Sequence, residues 1–321
     1  MENLVSVITT TYNHEDVLKD CIIGVLSQNN NLIKEYFIAD DSSTDNTKAI
    51  IEQYNEQYDH IIKPIYRQNN LGVLKNFYDV LLRCSGKYIA CISGDDYWID
   101  NSKLQRQVDF LEKHNEYSLI ATNYVMCFKD KDYYKIAYAD EGQKEIYTTD
   151  IIVSNQIAIQ TVLFRRAPLT KLPSIYNGED TQLILYLSTV GKILLDTQSV
   201  TAVYNSSVDG LANRHKTYRQ KVSNLIVKVK KAEMWNEYFD NQFEESITTL
   251  RQNISKNIVQ MAIKKVDIKN ILIHSYQLRY FKLNSCKFVL LKIINFFLSP
   301  FNNTLESNYR KQISNAHETI Y

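Results

Sequence analysis

Several whole classes of protein are excluded by what this sequence lacks. Its five cysteines, Cys21, Cys84, Cys91, Cys127 and Cys286, are odd in number and scattered, with no Cys-x-x-Cys spacing. A disulfide framework and a zinc site are therefore not expected, and a reducing compartment is. No internal repeat and no low-complexity tract is visible, so neither a solenoid nor a disordered chain is expected. The amino terminus runs into LVSVITT without the charged, apolar and small-residue succession of a signal peptide, which predicts a cytoplasmic protein. The longest apolar stretch, FVLLKIINFFL at 288–298, is about half of the ~20 residues that a membrane-spanning helix needs. Near the amino terminus there is no Gly-rich phosphate loop ending in lysine, which counts against a nucleotidyltransferase.

What is present is a globular composition, 45% hydrophobic over 321 residues, with a formal net charge of only +1. The charge is unevenly split. Residues 1–210 carry 28 acidic against 19 basic side chains, and residues 211–321 carry 8 against 18. An acidic front half has no basic channel for nucleic acid, so no nucleic-acid partner is expected.

Through the first ~130 residues short apolar runs alternate with longer helical patterns, which predicts β-α-β units and a mainly parallel sheet. LVSVITT is the first strand; Val17, Leu18, Cys21, Ile22, Val25 and Leu26 then recur at helical spacing. The second strand is EYFIAD, followed by DSSTDNT, which offers Ser43 or Thr44 as the N-cap of a helix bearing Ile50, Ile51 and Tyr54. IIKPIYR is a third strand, placed at an edge or irregular position by Pro64. NNLGVLKN opens another helix, and GKYIACIS is the fourth strand. Strand-like runs return at SLIATNYVMCF and AIQTVLFR, then a helix from about Asp180 to Val190 and short strands at KILL and VTAVY. From residue 216 the pattern is almost wholly helical and Lys-rich, which divides the chain into 1–215 and 216–321.

Three acidic clusters fall at predicted carboxyl ends of strands or helix starts, where α/β sheets bind ligands: Asp40-Asp41, Asp95-Asp96 and Glu179-Asp180. Adjacent carboxylates repel and are costly to desolvate, so a cation is expected to compensate them. Oxygen ligands of this kind suit a hard divalent cation, Mg²⁺ or Mn²⁺.

In order, VSVITTTYN, ADDSSTDNT, NNLGVLKN, SGDDYW and GEDTQL resemble the motifs of the inverting family 2 glycosyltransferases, over about residues 4–210. The resemblance implies a GT-A fold, a Rossmann-like, mainly parallel sheet flanked by helices, followed here by a C-terminal α-helical region. It further implies transfer of a sugar from a nucleoside diphosphate, UDP first, to a hydroxyl of a glycan acceptor, with inversion. Carried over, Asp96 meets the metal and Asp95 lies on the ribose or sugar side. Thr10 and Tyr12 hold the base, Tyr12 by stacking, Asp41 accepts from uracil or ribose, and Lys75 reaches the nucleotide or diphosphate. Asp180 is the base that deprotonates the acceptor, with Glu179 its neighbour; Trp98 lines the sugar or acceptor pocket or is core, and Gln160 lies toward the acceptor side. Each acidic cluster has a plainer reading as a turn or helix cap. One departure stands out: the family often follows its VY strand with arginine and histidine, whereas Tyr204 is followed by Asn205, Ser206 and Ser207. Arg214 or His215 would be substitutes from a later loop.

A Gly-Asp-Asp is also similar to that of template-directed polymerases, but the acidic front half opposes this. The rival of another class is a non-catalytic sugar-nucleotide binder or scaffold of a glycan assembly complex. Residues 276–298 carry four basic and no acidic side chains, and the polar positions of 285–299 form one narrow helical stripe. Such a tail would contact anionic lipid at the inner face of the plasma membrane, suiting a lipid-linked glycan acceptor in bacterial surface polysaccharide synthesis. Packing on the catalytic domain, or on a second subunit in a homo-oligomer, is the other reading.

Overall fold

In the computed structural model, residues 3–128, 132–155, 157–206, 217–265, 267 and 270 are described. The most buried strand is β1 (Val5–Thr11), an apolar and β-branched run with parallel neighbours on both sides, β2 (Ile33–Asp40) and β4 (Tyr88–Ser93). Three helices make the connections: α1 (Leu18–Leu26), α2 (Thr47–Tyr58) and α3 (Val73–Arg83). The face predicted for α1 is the one it buries, through Leu18, Cys21, Ile22 and Val25. Truncating such a residue to alanine typically costs about 2–5 kcal/mol.

Strand β3 (Ile62–Tyr66) lies outside β2 at the sheet edge, where the missing N–H of Pro64 does least harm. On the other side come β5 (Tyr97–Trp98), α4 (Lys103–Lys113), β6 (Tyr117–Phe128), β7 (Tyr133–Ile136), β8 (Gln143–Ile146), α5 (Thr148–Val153), β9 (Leu163–Arg165), α6 (Asp180–Val190) and β10 (Lys192–Asn205). The sheet order is β3-β2-β1-β4-β9-β6-β10-β5, with β7 on β6 and β8 on β10. Because β9 is antiparallel to both β4 and β6, and β10 is parallel to β6, the carboxyl ends of β1, β2, β4, β6 and β10 share one edge. The order reverses at β1, between β2 and β4, the position where open α/β sheets leave a crevice. This is the mainly parallel, helix-flanked sheet expected.

Three expectations need correction. The segments KILL and VTAVY are one strand, β10, whose register slips against β6 between Asp196 and Val200. Only Leu163–Arg165 of AIQTVLFR is extended, because Ile159–Thr161 makes a tight helical turn. Helix α2 starts at Thr47 with Asn46 as N-cap and no side-chain cap bond, since Ser43 and Thr44 are engaged elsewhere.

The chain divides into two compact units, one of residues 1–151 with 155–213 and one of 152–154 with 214 onward. In the second, α7 (Tyr218–Tyr238) opens on a capping box between Thr217 and Gln220 and packs against α8 (Glu244–Lys265). Arg251 ties the pair by ion pairs to Glu233 at 2.7 Å and Glu244 at 3.0 Å. The basic stretch 276–298, Arg214, His215 and Cys286 lie outside the described residues.

Candidate active site

The first two acidic clusters flank the carboxyl end of β1. Asp41 N–H donates to the Thr11 carbonyl at 2.9 Å, and Gly94 N–H donates to the Thr10 carbonyl at 2.9 Å. Strand pairing thus brings DSSTDNT (41–47) and SGDDYW (93–98) together although 45 residues of sequence separate them.

Asp40 and Asp41 do different things. Asp40 caps its own turn, accepting from Ser43 N–H and Ser43 Oγ, and burial raises its carboxyl above the ordinary range. Asp41, 4% exposed, accepts from Leu71 N–H at 2.8 Å and Gly72 N–H at 2.9 Å. It therefore fastens the NNLG turn, where Gly72 takes φ +80°, to the end of β2. Lys75 is exposed on the first turn of the helix that follows, and Tyr12 is 41% exposed just past β1.

The loops after β1 and β2 are cross-linked. Asn13 Oδ1 accepts from Thr44 N–H, Ser43 Oγ accepts from Asn13 N–H, and Thr47 Oγ1 accepts from His14 N–H. Glu15 accepts from Asn46 N–H while Asp45 accepts from Glu15 N–H. Asn13 and Ser42 both sit at positive φ, +54° and +68°, held there by this lacing.

In SGDDYW the glycine is a packing requirement: a Cβ at Gly94 would lie 2.7 Å from Thr11 Oγ1 and 2.9 Å from His14 Nδ1. The His14 ring, which sequence reasoning passed over, stands among Asp95, Asp45 and Asp40, and burial still pushes its imidazolium down. Asp95 is half-buried and Asp96 is 3% exposed. Asp96 Oδ1 accepts from Asn205 N–H at 2.9 Å, and the Asp95 carbonyl accepts from Asn205 Nδ2 at 2.6 Å. Burial, and then the Asp95 charge, push the Asp96 carboxyl well above the ordinary range. Among the described residues no ion pair reaches either acid. Among the described residues no third acid, histidine or cysteine joins the pair as a metal-holding group, and a buried carboxylate with no cationic side chain among those residues is open to a hard divalent cation.

Glu179 is the extended N-cap residue of α6 and Asp180 its first helical residue. Asp180 Oδ1 accepts from Thr181 N–H at 2.6 Å, and Gln182 Nε2 donates to Glu179 Oε2 at 3.1 Å. Burial, with the Glu179 charge adding, raises the Asp180 carboxyl. Gly178, at φ +96°, has no room for a side chain, because a Cβ would overlap the Leu74 carbonyl oxygen. This close approach sets the third acidic cluster against the start of α3. Tyr204, near the end of β10, feels Asp96, Asp95 and Asp180 at once; burial and these charges raise its phenol. Tyr176 is buried with no hydrogen-bond partner for its hydroxyl, facing the charges of Asp180 and Glu179. Neither tyrosine carries a motif that would have marked it.

Trp98 is placed in the core, not in a sugar pocket. It is 3% exposed, its indole N–H donates to the Gln160 carbonyl at 2.8 Å, and Lys103 Nζ lies 4.3 Å from its ring centre. Gly24 of α1 packs directly on its backbone. Lys103 is itself fully buried, donating to Gln107 Oε1, and burial pushes it down to about 7. Gln160 is likewise buried, at 3%.

An uncharacterized protein of Mycobacterium tuberculosis is 31% identical over 221 residues, 67% of this chain and 62% of that protein. The chain thus spans less than two thirds of that relative. The UDP-Glc:alpha-D-GlcNAc-diphosphoundecaprenol beta-1,3-glucosyltransferase WfaP of Escherichia coli is 30% identical over 202 residues, covering 63% of this chain and 76% of the enzyme. Two solved structures share the fold. Staphylococcus aureus TarS with UDP-GlcNAc has a TM-score of 0.56 at 18% identity over 96% of this chain and 92% of that one. The mannosyltransferase PcManGT of Pyrobaculum calidifontis with GDP-Man and Mn²⁺ has a TM-score of 0.57 at 13% identity, over 99% and 86%. Residues 6–169, which hold the two acidic clusters around β1, match Glycosyl transferase family 2, and the chain belongs to that family.

Proposed function

We propose that this protein is a metal-dependent, inverting glycosyltransferase that moves a sugar from a nucleoside diphosphate, UDP first, to a glycan hydroxyl in bacterial surface polysaccharide synthesis. The observation that carries the reading is Asp96, a buried carboxylate without a cationic partner among the described residues, at the crevice where β1 meets β4. In this reading Tyr12 stacks on the base beside Thr10, the turn fastened by Asp41 walls the nucleotide, and Lys75 faces the diphosphate. Asp96 would hold Mg²⁺ or Mn²⁺, with Asp95 beside it toward the sugar, and the cation would supply positive charge against the charge that develops on the departing diphosphate. Asp180 takes the proton from the acceptor hydroxyl as its oxygen bonds to the anomeric carbon. The bond from that carbon to the phosphate oxygen breaks, and the nucleoside diphosphate leaves.

A lipid-linked acceptor is part of the proposal, supported by the acceptor in the name of WfaP and by the basic stretch 276–298. That stretch would meet the inner face of the membrane; no helix among the described residues is long and apolar enough to cross one.

Calorimetric titration with UDP, GDP, dTDP and CMP, with and without Mn²⁺, tests the reading. One diphosphate is expected to bind tightly only with the metal. Binding without any transfer to glycan acceptors would instead favour the non-catalytic binder, and no binding of any nucleotide would remove both.

Gly178→Ala tests the placement of Asp180. The clash and the positive φ are expected to cost about 1–3 kcal/mol in stability, and a displaced base on the order of 10²-fold in turnover. Unchanged melting and turnover would show that α6 does not depend on this contact.

A further inference from the structure

We infer that the side-chain amide oxygen of Asn205 is a ligand for a divalent cation held at Asp96, an inference that rests on the metal-dependent reading above. Asn205 ends β10, paired with Cys127 of β6, and bonds to both members of the acidic pair, through its backbone to Asp96 and through its side chain to Asp95. Its backbone N–H binds Asp96 Oδ1 and its Nδ2 binds the Asp95 carbonyl. The second bond settles which way the amide points, since the reverse orientation would set two oxygens against each other. Oδ1 is left buried, on a residue 8% exposed, with no hydrogen-bond partner.

An orphaned buried acceptor typically costs about 1–3 kcal/mol, and it is tolerated where a ligand satisfies it. The neighbouring groups decide which ligand. Asp95 and Asp96 are carboxylates, and what Asn205 still offers beside them is an acceptor, so an anion gains nothing there. A cation gains a neutral third oxygen that adds no repulsion to the two charges already present. Carboxylate and carboxamide oxygens as the donors favour Mg²⁺ or Mn²⁺ over Zn²⁺.

The test is Mn²⁺ titration of the full-length protein at saturating UDP, read by the paramagnetic resonance of free Mn²⁺, for wild type, Asn205→Ala and Asn205→Asp. Asn205→Ala is expected to weaken Mn²⁺ by about 10- to 100-fold. Asn205→Asp is expected to bind Mn²⁺ at least as tightly as wild type, because it returns the oxygen while losing the N–H to Asp95. Wild-type affinity in Asn205→Ala overturns the inference and leaves the cation at Asp96 standing. An aspartate variant as weak as alanine also overturns it, showing that the bond to Asp95 is what matters. Absence of Mn²⁺ binding in the wild type removes the cation reading itself, and this inference with it.

Discussion

Asp180→Asn is expected to lower turnover by about 10²- to 10⁴-fold, the usual worth of a positioned general base, with donor affinity changed only a few-fold. Asparagine keeps an oxygen for Thr181 N–H, so the start of α6 survives and the loss is one of proton acceptance. The pH profile gives an independent check. A base works only when ionised, and burial and Glu179 raise the Asp180 carboxyl. Activity must therefore fall, as pH is lowered, at a higher pH than the ~3.9 of a free aspartate. Glu179→Gln removes one of the two causes, so the acid limb of kcat/KM is expected to move down in pH. An acid limb at the free-aspartate position, or near wild-type turnover in Asp180→Asn, would take the base assignment away.

Asp96→Asn is expected to do two opposite things. On the proposed reading, losing this carboxylate removes several kcal/mol of leaving-group stabilisation, on the order of 10³-fold in rate or more. The metal-free protein should nonetheless melt higher. The folded-state pKa of Asp96 is raised by burial and by Asp95, so its ionised form opposes folding. For a carboxyl raised in the fold, stability is lost as pH rises from the unfolded pKa toward the folded one, and stays lost above it. Asparagine escapes that loss and can still accept from Asn205 N–H. The gain in melting temperature, ~2–4 °C per kcal/mol for a unit of this size, should be present at neutral pH and vanish in acid. Mn²⁺ with UDP should stabilise the wild type and leave the variant unmoved. A variant that melts lower than wild type at neutral pH would mean that the fold needs this charge, and that function has not been favoured over stability here.

The outline of this site could be read from sequence because the chemistry sits at strand ends. Apolar runs of four to eight residues closing on Asp40-Asp41 and Asp95-Asp96 announce both the strands and the edge they share. What could not be read depends on contacts between distant segments. Nothing near Trp98 says that Gly24 and Gln160 will close over it, so an aromatic beside two acids reads equally as a sugar platform or as core. Asn205, Tyr204 and Tyr176 acquire their place only when β10 lies beside β6 and when residue 178 meets residue 74. The N-cap of α2 was misplaced because Ser43 and Thr44, good caps by type, bond instead to Asp40 and Asn13, one of them 31 residues away.

The lacing of the loops after β1 and β2 bears on when the cost of order is met. The amides of Asn13, His14, Glu15, Thr44 and Asn46 each already donate to a side chain from the opposite loop. Their protons should exchange more slowly in the unliganded protein than those of a surface loop whose amides are unbonded. The entropy of shaping this wall is then spent once, when the chain folds, and not again at each turnover. On the proposed reading, a nucleotide arriving there meets a surface that does not have to be organised around it.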